Sequence, residues 1–180
     1  MSTSVSRRRF LAAAATVSVL PRHIFAQGAK PGANGRLNVA GIGFGGMGQN
    51  NLAQVAGAGH TIAALCDVDS AYVAPVVAKY PQAKFYTDFR DLLANQKDLD
   101  AVVIATPDHT HAVIAAAAIK AGKHAFVQKP LCHDVSECRE LMRLAKEKNV
   151  VTQMGIQGHA SPGFYLINEW INAGGIGDLQ

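Results

Sequence analysis

Residues Leu37 to Gly48 read LNVAGIGFGGMG, an apolar run that breaks into glycines. Two overlapping G-x-G-x-x-G patterns fit it: Gly41, Gly43, Gly46 and Gly43, Gly45, Gly48. Such a bend needs a tight turn at the end of a strand and a bare backbone where a diphosphate approaches. It needs a third glycine where the following helix packs on the strand. The first register would end the strand at Ala40, which is short for a central strand. The second keeps Gly41 inside the strand and ends it at Ile42, so Gly43, Gly45 and Gly48 are the expected set. Phe44, Gly46 and Met47 complete the bend, and the helix behind it offers N–H groups and partial positive charge to an anion.

Glycines also punctuate ordinary turns, so the flanking pattern matters. Moving outward, TIAALCD (61–67), KFYTD (84–88), DAVVIAT (100–106), HAFVQKP (124–130) and VVTQMG (150–155) are strand-like. Helix-like stretches separate them: GMGQNNLAQVAGAG, SAYVAPVVAKY, FRDLLANQ and HAVIAAAAIKAG. Pro75 should kink the second of these or delay its start. A further helix opens with Asp134 and Glu137 at capping-box spacing and puts Val135, Cys138, Leu141, Met142 and Ala145 on one face. Continuous apolar strands alternating with amphipathic helices predict an α/β, doubly wound parallel sheet of the Rossmann type.

Ligands bind such sheets at the carboxyl ends of the strands. Asp67 ends the second strand, 24 residues after Gly43. A carboxylate there can accept hydrogen bonds from a ribose diol and repels a 2′-phosphate, which favours NAD over NADP. The plainer alternative is that Asp67 and Asp69 cap the next helix. The fourth strand leads into TPDHTH, Thr106 to His111. Pro107 would break the strand and Asp108 would cap the helix, which leaves His109 and His111 open between a first-turn position and a functional one. The fifth strand ends in VQKPL, with Lys129 at the ligand edge and Pro130 fixing the backbone after it.

The amino-terminal end has a different character. Arg7, Arg8 and Arg9 precede an apolar run from Phe10 to Leu20, too short to span a bilayer. Ser6 to Leu11 resembles a twin-arginine export signal, with small residues for cleavage near Ala26 or Ala29. The chain holds 17 Lys and Arg against 13 Asp and Glu. Residues 1–26 carry four arginines and no acid, so the remainder balances at 13 against 13. That balance removes the main ground for nucleic-acid binding. The cluster Arg139, Arg143, Lys146 and Lys148 alternates with glutamates as a solvated helix face. Three cysteines, Cys66, Cys132 and Cys138, form no disulfide framework. Cys132 and Cys138 could pair or bind metal, but no second Cys/His pair stands at ligand spacing, so no metal site is expected.

Taken together, GIGFGGMG, CDVD, ATPDHTH, VQKPL and the stretch from Val150 to Asp178 resemble the Gfo/Idh/MocA oxidoreductases. The resemblance implies an NAD-binding Rossmann domain followed by a larger α+β domain that carries substrate and oligomer contacts. It implies action on sugars or polyols, with Lys129 as the catalytic residue near the nicotinamide and the substrate hydroxyl. Thr106, Pro107, His109 and His111 would line the dinucleotide cleft, and Gln128, Lys129 and Pro130 would take the place of a Glu-Lys-Pro motif. Gln128 keeps a ribose hydrogen bond there but not a charge.

The expected division is a signal over 1–29, a linker over 30–36 and the NAD-binding domain over 37–155. Residues 156–180 would be a connecting helix and the start of a second domain whose remainder, with the acid-base partner, lies beyond Gln180. The chain alone is then expected to bind NAD and to be nearly inactive. Export to the periplasm with cofactor already bound is expected, with no membrane anchor after cleavage and a homo-oligomer only if the second domain is present. Two other readings compete: an NAD-dependent glycoside hydrolase of the same family, and a stand-alone nucleotide-binding module.

Overall fold

The computed structural model describes residues 35–175 and 177. The expected export signal and most of the linker lie outside the described residues. No helix among the described residues is long and apolar enough to cross a membrane.

Six strands form one parallel sheet: β1 (Asn38–Ile42), β2 (Thr61–Cys66), β3 (Lys84–Tyr86), β4 (Ala101–Ile104), β5 (His124–Gln128) and β6 (Thr152–Gly155). Their order is β3-β2-β1-β4-β5-β6. The chain therefore reverses direction across the sheet between β1 and β4, the switch point where such sheets open a crevice. Among the described residues, six helices connect or follow the strands: α1 (Met47–Gly57), α2 (Ser70–Val77), α3 (Phe89–Asn95), α4 (His111–Lys120), α5 (Val135–Lys148) and α6 (Pro162–Asn172). Two apolar clusters cover the sheet. One joins Ile42, Ala64, Val102, Ile104 and Val127 to Leu92, Ile114, Ala118, Leu141 and Leu144 of α3, α4 and α5. The other joins Val39, Ile62, Leu65 and Val103 to Leu52, Val73 and Val76 of α1 and α2.

Local chemistry sets the boundaries. Asp69 accepts a hydrogen bond from the Tyr72 N–H at 2.9 Å and starts α2 without delay; the helix runs through Pro75 and ends at Val77. The strand expected over 84–88 is shorter, because Asp88 leaves it to cap α3. Asp134 and Glu137 form the reciprocal capping box at the start of α5, and Asn149, with φ of 52°, ends it. The buried face of α5 differs from the expected one. Leu141 and Leu144 are buried, whereas Val135 and Met142 are exposed. The apolar stripe turns toward 141, 144 and 145, and Met142 falls on its far side, next to the charged face. There Arg143 bridges Glu140 at 2.8 Å and Glu147 at 2.7 Å.

Candidate dinucleotide-binding site

β1 ends at Ile42, with Gly41 inside the strand, and Gly43 turns away with φ of 75°. A Cβ on Gly43 would stand 2.7 Å from the Thr106 backbone nitrogen, so only glycine lets the β1 and β4 ends lie this close. A Cβ on Gly48 would stand 2.1 Å from the Gly43 carbonyl oxygen. The first turn of α1 therefore rests directly on the bend. Hydrogen bonds fix the same place: Gly43 N–H donates to the Cys66 carbonyl at 2.8 Å, and Ala105 N–H to the Ile42 carbonyl at 2.9 Å. α1 starts without a side-chain cap and without an acidic residue in its first turn. Its leading N–H groups are thus left for an anion.

Asp67 and Asp69 divide the two roles that the sequence left open. Asp69 is the helix cap. Asp67 faces the bend: Oδ2 accepts from Phe44 N–H at 3.0 Å and Oδ1 from Asp69 N–H at 3.2 Å. A half-buried carboxylate has lone pairs to spare beyond these two bonds. The bend and Asp67 border a cleft of about 640 Å³, whose walls include Gly43, Gly45, Gly46, Thr106 and Pro107. A second hollow of about 540 Å³, along the sheet beside α1 and β6, contains none of the predicted site residues.

Not every predicted residue meets this cleft. The Phe44 side chain is fully buried, edge-on to Phe85 with ring centroids 6.4 Å apart, so only its backbone faces the bend. Its place in the sequence pattern hid this, because an apolar residue inside a glycine loop can turn either way. His111 does not line the cleft either; it is 1% exposed. Its Nδ1 lies 2.7 Å from the Pro130 carbonyl oxygen and its Nε2 2.8 Å from the Thr106 carbonyl oxygen. The ring ties the loop after β4 to the loop after β5. His109 is exposed on a 3₁₀ turn, Asp108–Thr110, and is not a cleft wall. Asp108 does not cap α4, since Thr110 stands at that position and its hydroxyl bonds Thr106 Oγ1 and the Pro107 carbonyl instead.

Met47 is half-exposed at the start of α1. Lys129 and Pro130 are exposed just past β5, joined by a cis peptide bond. Gln128 is 5% exposed, and its Nε2 is buried without a partner. Sequence reasoning missed several walls: Val68, Tyr72, Arg90 and Val113. Val68 and Tyr72 are 88% and 66% exposed. The signal for Val68 was an apolar residue set in the turn directly after Asp67, where no core partner is available.

Cys66 is buried on the cleft floor, and burial together with Asp88, Asp67 and Asp91 pushes its thiol up to about 12. Burial and the Cys138 thiol push Cys132 up to about 12 as well. At pH 8 each is then about one part in 10⁴ thiolate, the reactive form. Iodoacetamide at pH 8 is expected to leave Cys66 and Cys132 unmodified in the folded protein while labelling both in urea. Peptide mass spectrometry reads the result, and fast native labelling of Cys66 contradicts this account. All three thiols are free, and among the described residues no cluster of three or more metal-ligating side chains occurs.

A glycine bend at a β1/β4 switch point, a bare helix start and a carboxylate at the end of β2 define a dinucleotide-binding Rossmann domain. The bare backbone that a Cβ would fill fits such a ligand. Residues 37–156 match the Gfo/Idh/MocA family, described as an oxidoreductase family with an NAD-binding Rossmann fold. The chain belongs to that family, and this domain is its NAD-binding part.

Inositol 2-dehydrogenase of Salmonella typhimurium is 31% identical over 141 residues, covering 76% of this chain and 41% of that protein. Alpha-N-acetylgalactosaminidase of Shewanella oneidensis is 35% identical over 124 residues, covering 62% of this chain and 27% of its own length. Among solved structures, GenD2 from gentamicin A biosynthesis, in complex with NAD, superposes with a TM-score of 0.70 at 28% identity, covering 84% of this chain and 41% of that one. The chain thus spans about two fifths of the length of the inositol dehydrogenases it matches.

Proposed function

We propose that this chain is the cofactor half of an NAD-dependent oxidoreductase of sugars or polyols. The observation that carries the reading is Asp67, hydrogen-bonded to the glycine bend at the switch point. NAD, when bound, supplies the hydride acceptor. The first N–H groups of α1 hold a diphosphate, and Asp67 accepts from the ribose hydroxyls. On the family resemblance, Gln128 would offer the ribose a hydrogen bond that needs no charge. Lys129 donates to the oxygen of the substrate alcohol, so that negative charge gathering there as the proton leaves is stabilised. The base that takes that proton belongs to the remainder of the full-length protein.

The resemblance of Ser6 to Leu11 to a twin-arginine signal supports export in the folded state. Free dinucleotide is kept inside the cell, and an enzyme that crosses folded can carry its cofactor out. Substrate and oligomer contacts belong, on this reading, to the second domain.

Titration of the purified chain with NAD by calorimetry tests the binding site. The wild type should bind, and Asp67→Ala should weaken binding about 10- to 100-fold, the loss of hydrogen bonds to a charged acceptor. Unchanged affinity in Asp67→Ala would refute the site. The hydrolase reading keeps a place because of the Shewanella relative. Full-length protein that reduces NAD with myo-inositol or another polyol supports the oxidoreductase; glycoside cleavage without net reduction supports the hydrolase.

A further inference from the structure

Beyond Asp67 the cleft wall is built from the loop leaving β3, Thr87 and Asp88, and from the first residues of α3, Phe89 and Arg90. Asp67 N–H donates to the Tyr86 carbonyl at 3.1 Å, so this loop starts one strand spacing, about 4.8 Å, from Asp67. Arg90 is the only basic residue among the described residues that line the cleft. It is not free to meet a ligand. Its Nε lies 2.9 Å and 3.2 Å from the two Asp88 carboxylate oxygens, and its Nη2 lies 2.9 Å from Oδ2. Its guanidinium also lies 5.4 Å from the centre of the Phe89 ring.

Both partners of this pair face solvent, with side chains 75% and 37% exposed. Exposed pairs are weak, so the fork can be exchanged for a stronger partner. A phosphate dianion is such a partner, since guanidinium groups bind it in the same two-pronged way. A 2′-phosphate, carried on the hydroxyl that Asp67 would otherwise accept from, would enter on this side of the cleft. Resting on the reading of the cleft as the dinucleotide site, we propose that Arg90 is a latent 2′-phosphate ligand and that Asp88 holds it in reserve. The preference for NAD then has two sources: Asp67 repels the phosphate, and Asp88 occupies the cation that would receive it.

The test is calorimetric titration of the purified chain with NAD and NADP. The variants are Asp67→Ser, Asp88→Asn and Arg90→Ala, alone and combined. Asparagine at 88 keeps a cap for the Arg90 N–H and removes only the charge. Asp67→Ser should raise NADP affinity about 10-fold, and Asp67→Ser/Asp88→Asn a further 3- to 10-fold. Adding Arg90→Ala to Asp67→Ser/Asp88→Asn should remove that further gain and return NADP binding to near the Asp67→Ser value, while NAD affinity in Arg90→Ala alone stays within about twofold. No further NADP gain from Asp88→Asn, or one that survives Arg90→Ala, overturns the proposal and leaves the NAD site standing. A wild type that binds neither nucleotide, with variants that do no better, overturns the site reading and the proposal together. Far-ultraviolet circular dichroism of each variant separates lost binding from lost fold.

Discussion

Gly48→Val is expected to weaken NAD binding by at least about 100-fold while the chain still folds. The Cβ it introduces would stand 2.1 Å from the Gly43 carbonyl oxygen and 3.2 Å from the Ala105 methyl. An ordinary carbon–oxygen approach is about 3.3 Å, so α1 must move roughly 1 Å off the bend. The obstacle is backbone at the most constrained point of the sheet, not the end of a flexible side chain. That displacement carries the helix amino end away from where a diphosphate must lie. Two or more hydrogen bonds to a charged group, at about 1.5 to 3 kcal/mol each, account for the loss. Overpacking should cost a further 1 to 3 kcal/mol or so of stability. Gly57→Ala is the control. Nothing lies within 4 Å of a Cβ there, at the far end of the same helix. It should leave affinity unchanged and stabilise the chain by up to about 1 kcal/mol. Calorimetry and urea denaturation of both variants decide it, and equal effects at 48 and 57 contradict the geometry.

Phe44→Ala is expected to cost about 3 to 5 kcal/mol of folding stability, measured by urea denaturation. The ring is fully buried among Val39, Leu52, Ile62, Leu65, Val73, Val76 and Val103, where β1, β2 and β4 meet α1 and α2. Removing it leaves a cavity at the base of the bend, and the Phe44 N–H that Asp67 accepts from moves with the backbone. Affinity for NAD should therefore fall together with stability. Phe44→Leu separates the two effects. It fills most of the space, costs about 1 to 2 kcal/mol and leaves NAD affinity within about threefold. Lost affinity in Phe44→Leu with stability intact would make the ring a cofactor contact, which its burial denies.

These two residues show how far the sequence could be read. The spacing of Gly43, Gly45 and Gly48 could be weighed against strand length, because a backbone bend is a local matter and only glycine permits it. Asp67 could be placed at the end of β2 by its position after an apolar run. Whether it capped α2 or faced the bend could not be settled from spacing, since both roles use the same residue type in the same turn. Phe44 is the opposite case. Inside a glycine loop no periodicity points its ring inward or outward, and the apolar space behind the bend exists only once α1, α2 and the sheet have met.

His111 makes the same point for a polar group. The family resemblance placed it in the cleft, but both ring nitrogens face carbonyl oxygens, those of Thr106 and Pro130, 24 residues apart in the loops that leave the paired strands β4 and β5. Met142 was placed on the buried face of α5 by a period that holds for the helix as a whole. The line along which α5 meets α4 and the sheet is narrower than that period, and the residue falls outside it.

What the sequence determined by itself is the alternation of strand and helix, the glycine bend and the acidic residue that follows β2. These depend on periodicity, caps and backbone freedom, all carried by neighbours within a few residues. Tertiary structure alone decided which side chains face the cleft. That choice depends on contacts between segments far apart in the chain: the β3 loop with Asp67, His111 with Pro130, and Gly43 with Thr106. Packing favours one arrangement of these segments because the buried face of each is completed only by the others.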